Sequence, residues 1–142
     1  MSFASDFKLN LVYIEGESSK DSWSSTTMIS IERNNLVYQK DYSGHVKEKK
    51  ENKTGTLTEE QIDKIAALIV NSKLNNTDSL TDYTEKLKSN YNQYAIITLT
   101  IYLQGVTNSI KLEGDKKSLK DHPTYKSALD LIDLLKDYID DF

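Results

Sequence analysis

Between Tyr94 and Gly105 the chain reads YAIITLTIYLQG, and alternate positions separate into Ala95, Ile97, Leu99, Ile101, Leu103 and Tyr94, Ile96, Thr98, Thr100, Tyr102. A period of two is the signature of a β-strand buried on one face. The first set is therefore predicted to enter a core, and the second to occupy the other face of a sheet. The same period in FKLNLVYIE places Phe7, Leu9, Leu11 and Tyr13 together on one side of a first strand. The serine-rich stretch GESSKDSWSST that follows reads as a loop carrying Trp23. In TMISIERNNLVYQKDYSG two alternating runs meet at Asn34-Asn35, and asparagine tolerates the positive φ angles of a two-residue hairpin turn. A turn there would set Arg33 opposite Leu36, Ile31 opposite Tyr38 and Ile29 opposite Lys40. The segment HVKEKKENKTGT, His45 to Thr56, is charged almost throughout, which suits a solvated edge strand or else a continuous loop.

LTEEQIDKIAALIV carries a helix start. Thr58 is placed to cap it, Gln61 to close a capping box, and Leu57 to meet Ile62 as a hydrophobic staple. Ile62, Ile65, Ala66 and Ile69 recur at helical spacing as its buried stripe, and Glu60 is placed to pair with Lys64. The polar stretch from Asn75 to Gln93 reads as a long, mobile connection with a short helix around Leu80 to Lys88. After the YAIITLTIYLQG strand, a turn at Gln104-Gly105 leads into VTNSIKLEG, with Leu99 opposite Ile110 and Ile97 opposite Leu112, so that the apolar faces of both strands agree. A last helix is predicted from about Pro123, with Asp121 near its free amides and a stripe of Tyr125, Ala128, Leu129, Ile132, Leu135 and Ile139. The order of strands, helix, hairpin and helix predicts a single α+β domain over residues 1–142. Its antiparallel sheet would have about five to six strands and two helices packed on one face.

Composition narrows the chemistry. The chain has no cysteine, which excludes disulfides, zinc–thiolate sites and cysteine nucleophiles. Net charge is −4 and Arg33 is the only arginine, so the bidentate fork used on phosphates and guanine is nearly missing and nucleic acid is not an expected partner. No apolar run approaches the roughly 20 residues of a membrane span, and MSFASDF lacks the features of a secretory signal, so a soluble protein or the mature part of a processed one is expected. Abundant lysine, asparagine, tyrosine and isoleucine, with scarce arginine, proline and glycine, fit a bacterium with an AT-rich genome.

No motif names a reaction. His45 and His122 lie far apart and outside any zinc-type spacing. Asp130, Asp133, Asp137 and Asp140 fall opposite the apolar stripe of the last helix and read as its solvated face. Ser18, Ser19, Ser22, Ser24 and Ser25 form no nucleophile elbow, and there is no phosphate-cradling glycine loop or dinucleotide fingerprint. The sequons at Asn52 and Asn75 are expected by chance in a chain this rich in asparagine.

What stands out is the second face of the opening strand. Tyr94, Thr98, Thr100 and Tyr102, extended by tyrosines of the first hairpin, form either a plain solvated surface or a binding surface. Trp23 is either a cap over one end of the sheet or a binding anchor. These five residues are the candidate site. The expected function is a non-enzymatic binding or interaction domain of a bacterial envelope or secreted protein, using the open sheet face and adjacent loops on a protein or small-molecule partner. The alternatives are a small acidic inhibitor or immunity-type protein, and an enzyme built from scattered carboxylates and tyrosines. No metal or cofactor is implied, and a cytoplasmic location is the alternative to the envelope.

Overall fold

The computed structural model describes residues 7–17, 23–44, 49–75, 82–84 and 93–142. Its elements are β1 (Lys8–Glu17), β2 (Trp23–Glu32), β3 (Asn35–Gly44), β4 (Lys49–Thr56), α1 (Glu59–Asn71), β5 (Asp82–Thr84), β6 (Gln93–Leu103), β7 (Val106–Asp115), α2 (Lys116–Leu119) and α3 (Pro123–Asp140). The strands form one sheet in the order β4-β3-β2-β1-β6-β7-β5. Six of them are antiparallel, and the three-residue β5 adds to β7 in parallel. This is the expected α+β fold.

β1 is central because both of its neighbours repeat its alternation. Leu11 lies between Ile29 and Leu99, and Leu9 between Ile31 and Ile101, so each row across the sheet is apolar on the same side. Ala95, Ile97, Leu99 and Ile101 are fully buried there beneath the helices. α1 supplies Ile62, Ile65, Ala66 and Ile69 to this core, and α3 supplies Tyr125, Ala128, Leu131, Ile132, Leu135 and Ile139. Leu131 takes the fully buried place expected of Leu129, which is only partly buried against the cluster. The buried stripe of α3, six residues with Leu131 and Ile132 adjacent, is broader than a strict heptad seam.

Local chemistry sets the helix ends. The Thr58 side chain accepts from the Gln61 amide at 3.1 Å while the Gln61 side chain accepts from the Thr58 amide at 2.9 Å, which completes the capping box. Glu60 and Lys64 approach to 3.6 Å on the surface. At the other end the amide of Leu74 donates to the Ile69 carbonyl and that of Lys73 to Val70. That is a Schellman closure, with Lys73 at φ 61 where glycine is usual. Asn108, buried in β7, then donates its side-chain amide to the Leu74 carbonyl at 2.8 Å and ties the end of α1 to the sheet. α3 is capped by His122, whose Nδ1 accepts from the Thr124 amide at 3.2 Å, and not by Asp121. The aspartates 130, 133, 137 and 140 are exposed along α3, as the helical spacing requires.

The structure corrects three further expectations. The first hairpin turns at Arg33-Asn34, so that Ile31 faces Leu36 and Ile29 faces Tyr38. This register puts apolar partners opposite one another, whereas a turn one residue later would have set Leu36 against Arg33. The region around Trp23 is strand, with Gly16 and Glu17 paired to Ser24 and Trp23. Polar composition there reflects a partly wet sheet end. Within the long connection, residues 82–84 are strand where a helix was expected, because the free edge of β7 offers backbone partners; residues 76–81 and 85–92 lie outside the described residues, as do His45 and Ser18, Ser19 and Ser22. The second hairpin has the expected register, through left-handed Gln104 (φ 53) and Gly105 (φ 78).

β4 is the solvated edge strand that its charges imply, and its neighbour at Gly55 is the ring of Phe142, which leaves no room for a side chain there. The chain's last residue thus closes over its first edge.

Replacing Ile97 or Leu99 with alanine should cost about 2–5 kcal/mol, since each leaves a cavity under the helices. Thr98→Lys on the opposite face should cost about 0.5 kcal/mol, plus a small strand-propensity loss. Urea unfolding midpoints measure both; similar losses from the two faces would contradict one-sided burial. Thr58→Ala should cost about 1 kcal/mol by the same measurement.

Candidate functional site

The sheet face away from the helices is built by rows of alternate residues from six strands. One row runs Val37, Ser30, Asn10, Thr100, Ser109, and the next runs Gln39, Met28, Val12, Thr98, Lys111. A third sets Ile14 between Thr26 and Ile96. Val12, Ile14, Met28 and Ile96 are half-buried, and Val37 is 51% exposed. An apolar centre therefore lies open within a frame of hydroxyl and amide side chains. No described helix lies over it.

The polar groups of this face are largely paired in the plane of the sheet. Ser30 donates to the Asn10 side chain, and the Thr100 and Ser109 hydroxyls lie 3.2 Å apart. Lys8 approaches Glu32 at 3.8 Å, and Lys111 approaches Glu113 at 3.9 Å. Three shallow depressions share Asn10: one of about 250 Å³ beside Val12, Met28 and Gln39, one of about 640 Å³ beside Arg33 and Asn35, and one of about 240 Å³ beside Thr100 and Tyr102.

Four of the five candidate residues lie on this face. Thr98 is exposed, Thr100 is half-buried, and Tyr94 and Tyr102 stand at opposite ends of β6. Eight residues of strand separate the tyrosines by roughly 27 Å, too far to grip one small ligand together. Tyr94 is laid flat over Gly16 of β1; a Cβ there would come within 2.6 Å of its hydroxyl oxygen. The bare glycine is what lets the ring lie on the sheet.

Trp23 belongs elsewhere. In register it faces the helix side with Glu17 and Ser25, and it is stacked on Tyr42 with ring centres 6.1 Å apart and planes at 23°. Its indole N–H donates to Glu17 at 3.0 Å. It caps one end of the sheet, apart from the open face. The hairpin tyrosines do not extend that face either, since Tyr38 and Tyr42 point to the helix side with Leu36. Alternation assigns them there once the turn is set at Arg33-Asn34.

The sequence reading missed the contribution of β1, β2 and β3 to the open face. A signal existed: Val12 and Ile14 are apolar at the outward positions of FKLNLVYIE, where a solvated face would place polar residues.

On the helix side a separate polar cluster joins three elements. Lys116 of α2 donates to Glu15 of β1 at 2.6 Å, Tyr13 donates to the same carboxylate at 3.1 Å, and the Tyr13 and Tyr125 hydroxyls are 3.3 Å apart. Burial pushes the Glu15 carboxyl upward, but the hydrogen bond and charge of Lys116, with help from Tyr13 and Lys40, outweigh it and hold the group below its ordinary value. Burial, reinforced by Tyr125 and Glu15, raises the Tyr13 phenol well above its ordinary range. Tyr38 is also raised by burial, with the charges of Glu51 and Asp140 adding to it. The cluster fastens the start of α2 and α3 to β1, and its polar atoms are spent on one another. Among the described residues, no group of three or more histidines and carboxylates is gathered as a metal site would need, and no helix is long and apolar enough to cross a membrane.

A scan against protein-family models matches none, and a search of curated proteins finds no significant relative.

Glu15 and Tyr13, two of the three shifted groups, make stability depend on pH. Glu15 titrates at 4.5 when unperturbed and lower when folded, so its contribution is present above that value and is lost as pH falls below it. Tyr13 ionises near 10.0 when unfolded but stays protonated when folded, so stability also falls as pH rises beyond that value. Thermal unfolding across pH should show both limbs. Glu15→Gln should flatten the acid limb, and Tyr13→Phe the alkaline one; unchanged limbs would contradict these assignments.

Proposed function

We propose that this protein is a non-enzymatic binding domain that presents its open sheet face to a partner. The observation that carries this reading is the half-buried apolar centre of Val12, Ile14, Met28 and Ile96, over which no described helix lies, on a sheet whose other side is sealed by two helices. Single exposed apolar side chains need no explanation, but a contiguous group framed by hydroxyls and amides is the pattern of a surface that is wet part of the time. The in-plane pairing of Lys8 with Glu32 and of Lys111 with Glu113 supports the same reading, because a partner need not strip unpaired charges of water. Thr98 and Thr100 lie within this surface, with Tyr94 and Tyr102 at its ends, and Trp23 is outside it. Of the setting we propose, the bacterial origin rests on composition and the envelope or secreted location on the order of strands and helices.

A pull-down from extract of the source cell tests the surface. Thr98→Lys should remain folded and lose the partner retained by the wild type, while Asp133→Lys on the exposed face of α3 should keep it. Retention by Thr98→Lys, or loss by both variants, would contradict the assignment.

A further inference from the structure

Arg33 is the chain's only arginine, and it stands at the β2–β3 turn in the left-handed region with φ 59. A glycine or asparagine would occupy that conformation with less strain. Its backbone is held by donation of its N–H to the Phe7 carbonyl at 3.0 Å, but its guanidinium makes no ion pair or side-chain hydrogen bond with the described residues. It rims the 640 Å³ depression together with Lys8, Asn10, Ser30, Asn35 and Val37. Glu32, the acid in that lining, already faces Lys8 at 3.8 Å, so among the described residues of the lining the guanidinium is the uncompensated charge. The depression is locally positive on a protein of net charge −4.

The depression is also continuous with the apolar part of the open face. Asn10, Ser30 and Val37 line both it and the 250 Å³ depression beside Val12, Met28 and Gln39. Together they form a trough running along the strands from the charged turn toward the centre of the sheet, about four residues of strand or roughly 13 Å long. A planar guanidinium matches a carboxylate through two parallel hydrogen bonds. The trough reaches the end of the sheet at Arg33, where a chain that stops requires no further support.

Resting on the open-face reading above, we infer that this trough binds the carboxyl terminus of an extended partner peptide, its terminal carboxylate on Arg33 and its preceding apolar side chains over Val37, Met28 and Val12.

The test is a selection from a peptide library displayed with free C-termini, followed by binding measurements on the best tail synthesised as free acid and as amide. The wild type should select tails with apolar residues near the end and bind the acid at least tenfold more tightly than the amide. Arg33→Gly, which suits the left-handed backbone and should keep or raise the unfolding temperature, should lose tenfold or more for the acid and no longer distinguish it from the amide. Val37→Asn, neutral and exposed, should weaken both forms alike. Failure to select any tail, or equal binding of acid and amide by the wild type, would overturn the inference. Loss in Val37→Asn with none in Arg33→Gly would overturn the carboxylate contact and leave the open-face reading standing; no loss in either would overturn both.

Discussion

The structure depends on one-sided burial of the strand pair at its centre. β1 is paired with β6 over its whole length, and every inward position from Leu9–Ile101 to Tyr13–Ile97 is buried. A strand's side chains alternate, so sealing one side commits the other set of residues to a common surface. α1, after edge strand β4, and α3, after β7 and α2, both contribute their apolar stripes to the same buried cluster. The open face follows from that commitment, on a sheet of six antiparallel strands with β5 added at one edge. Burial of Ile97 and Leu99 is therefore also what positions Thr98 and Thr100.

A face made this way could simply be polar, as on many antiparallel sheets. Here it is mixed. Val12, Ile14, Met28 and Ile96 give it an apolar centre, while Asn10, Ser30, Thr100 and Ser109 satisfy one another in the plane. These four polar side chains keep their partners when water leaves, which limits the cost of covering them. The helix side is organised in the opposite way. There Glu15, Lys116, Tyr13 and Tyr125 use their polarity to fasten α2 and α3 to β1. One side of the sheet thus has a structural polar network, and the other a polar frame around a half-buried apolar centre.

The elements that depend on strong local patterns were legible from sequence. The alternation of Ala95 to Leu103, the capping box of Thr58 and Gln61 and the register of Leu99 on Ile110 each follow from adjacent residues. What was not legible came from competition at longer range. The turn at Arg33 required a non-glycine residue to accept a left-handed backbone so that Ile31 could meet Leu36. Trp23 read as a loop residue because serine surrounds it, yet pairing with Glu17 draws it into β2 and sends it to the helix side. β5 formed on the free edge of β7, for which a polar segment carries no periodic signal. The candidate surface was half visible: β6 announced its own outward residues, but only pairing shows that Asn10, Met28 and Val37 stand beside them.

Attenuation of methyl and Thr resonances by a soluble paramagnetic probe measures which face is open, residue by residue and without knowledge of any partner. The account predicts strong attenuation at Val37, Met28, Val12, Ile96 and Thr98, and almost none at Ile97, Leu99, Ile101 and Ile65. Equal protection of Thr98 and Leu99, or of Val12 and Leu11, would show the sheet covered on both sides and would contradict the account at its base.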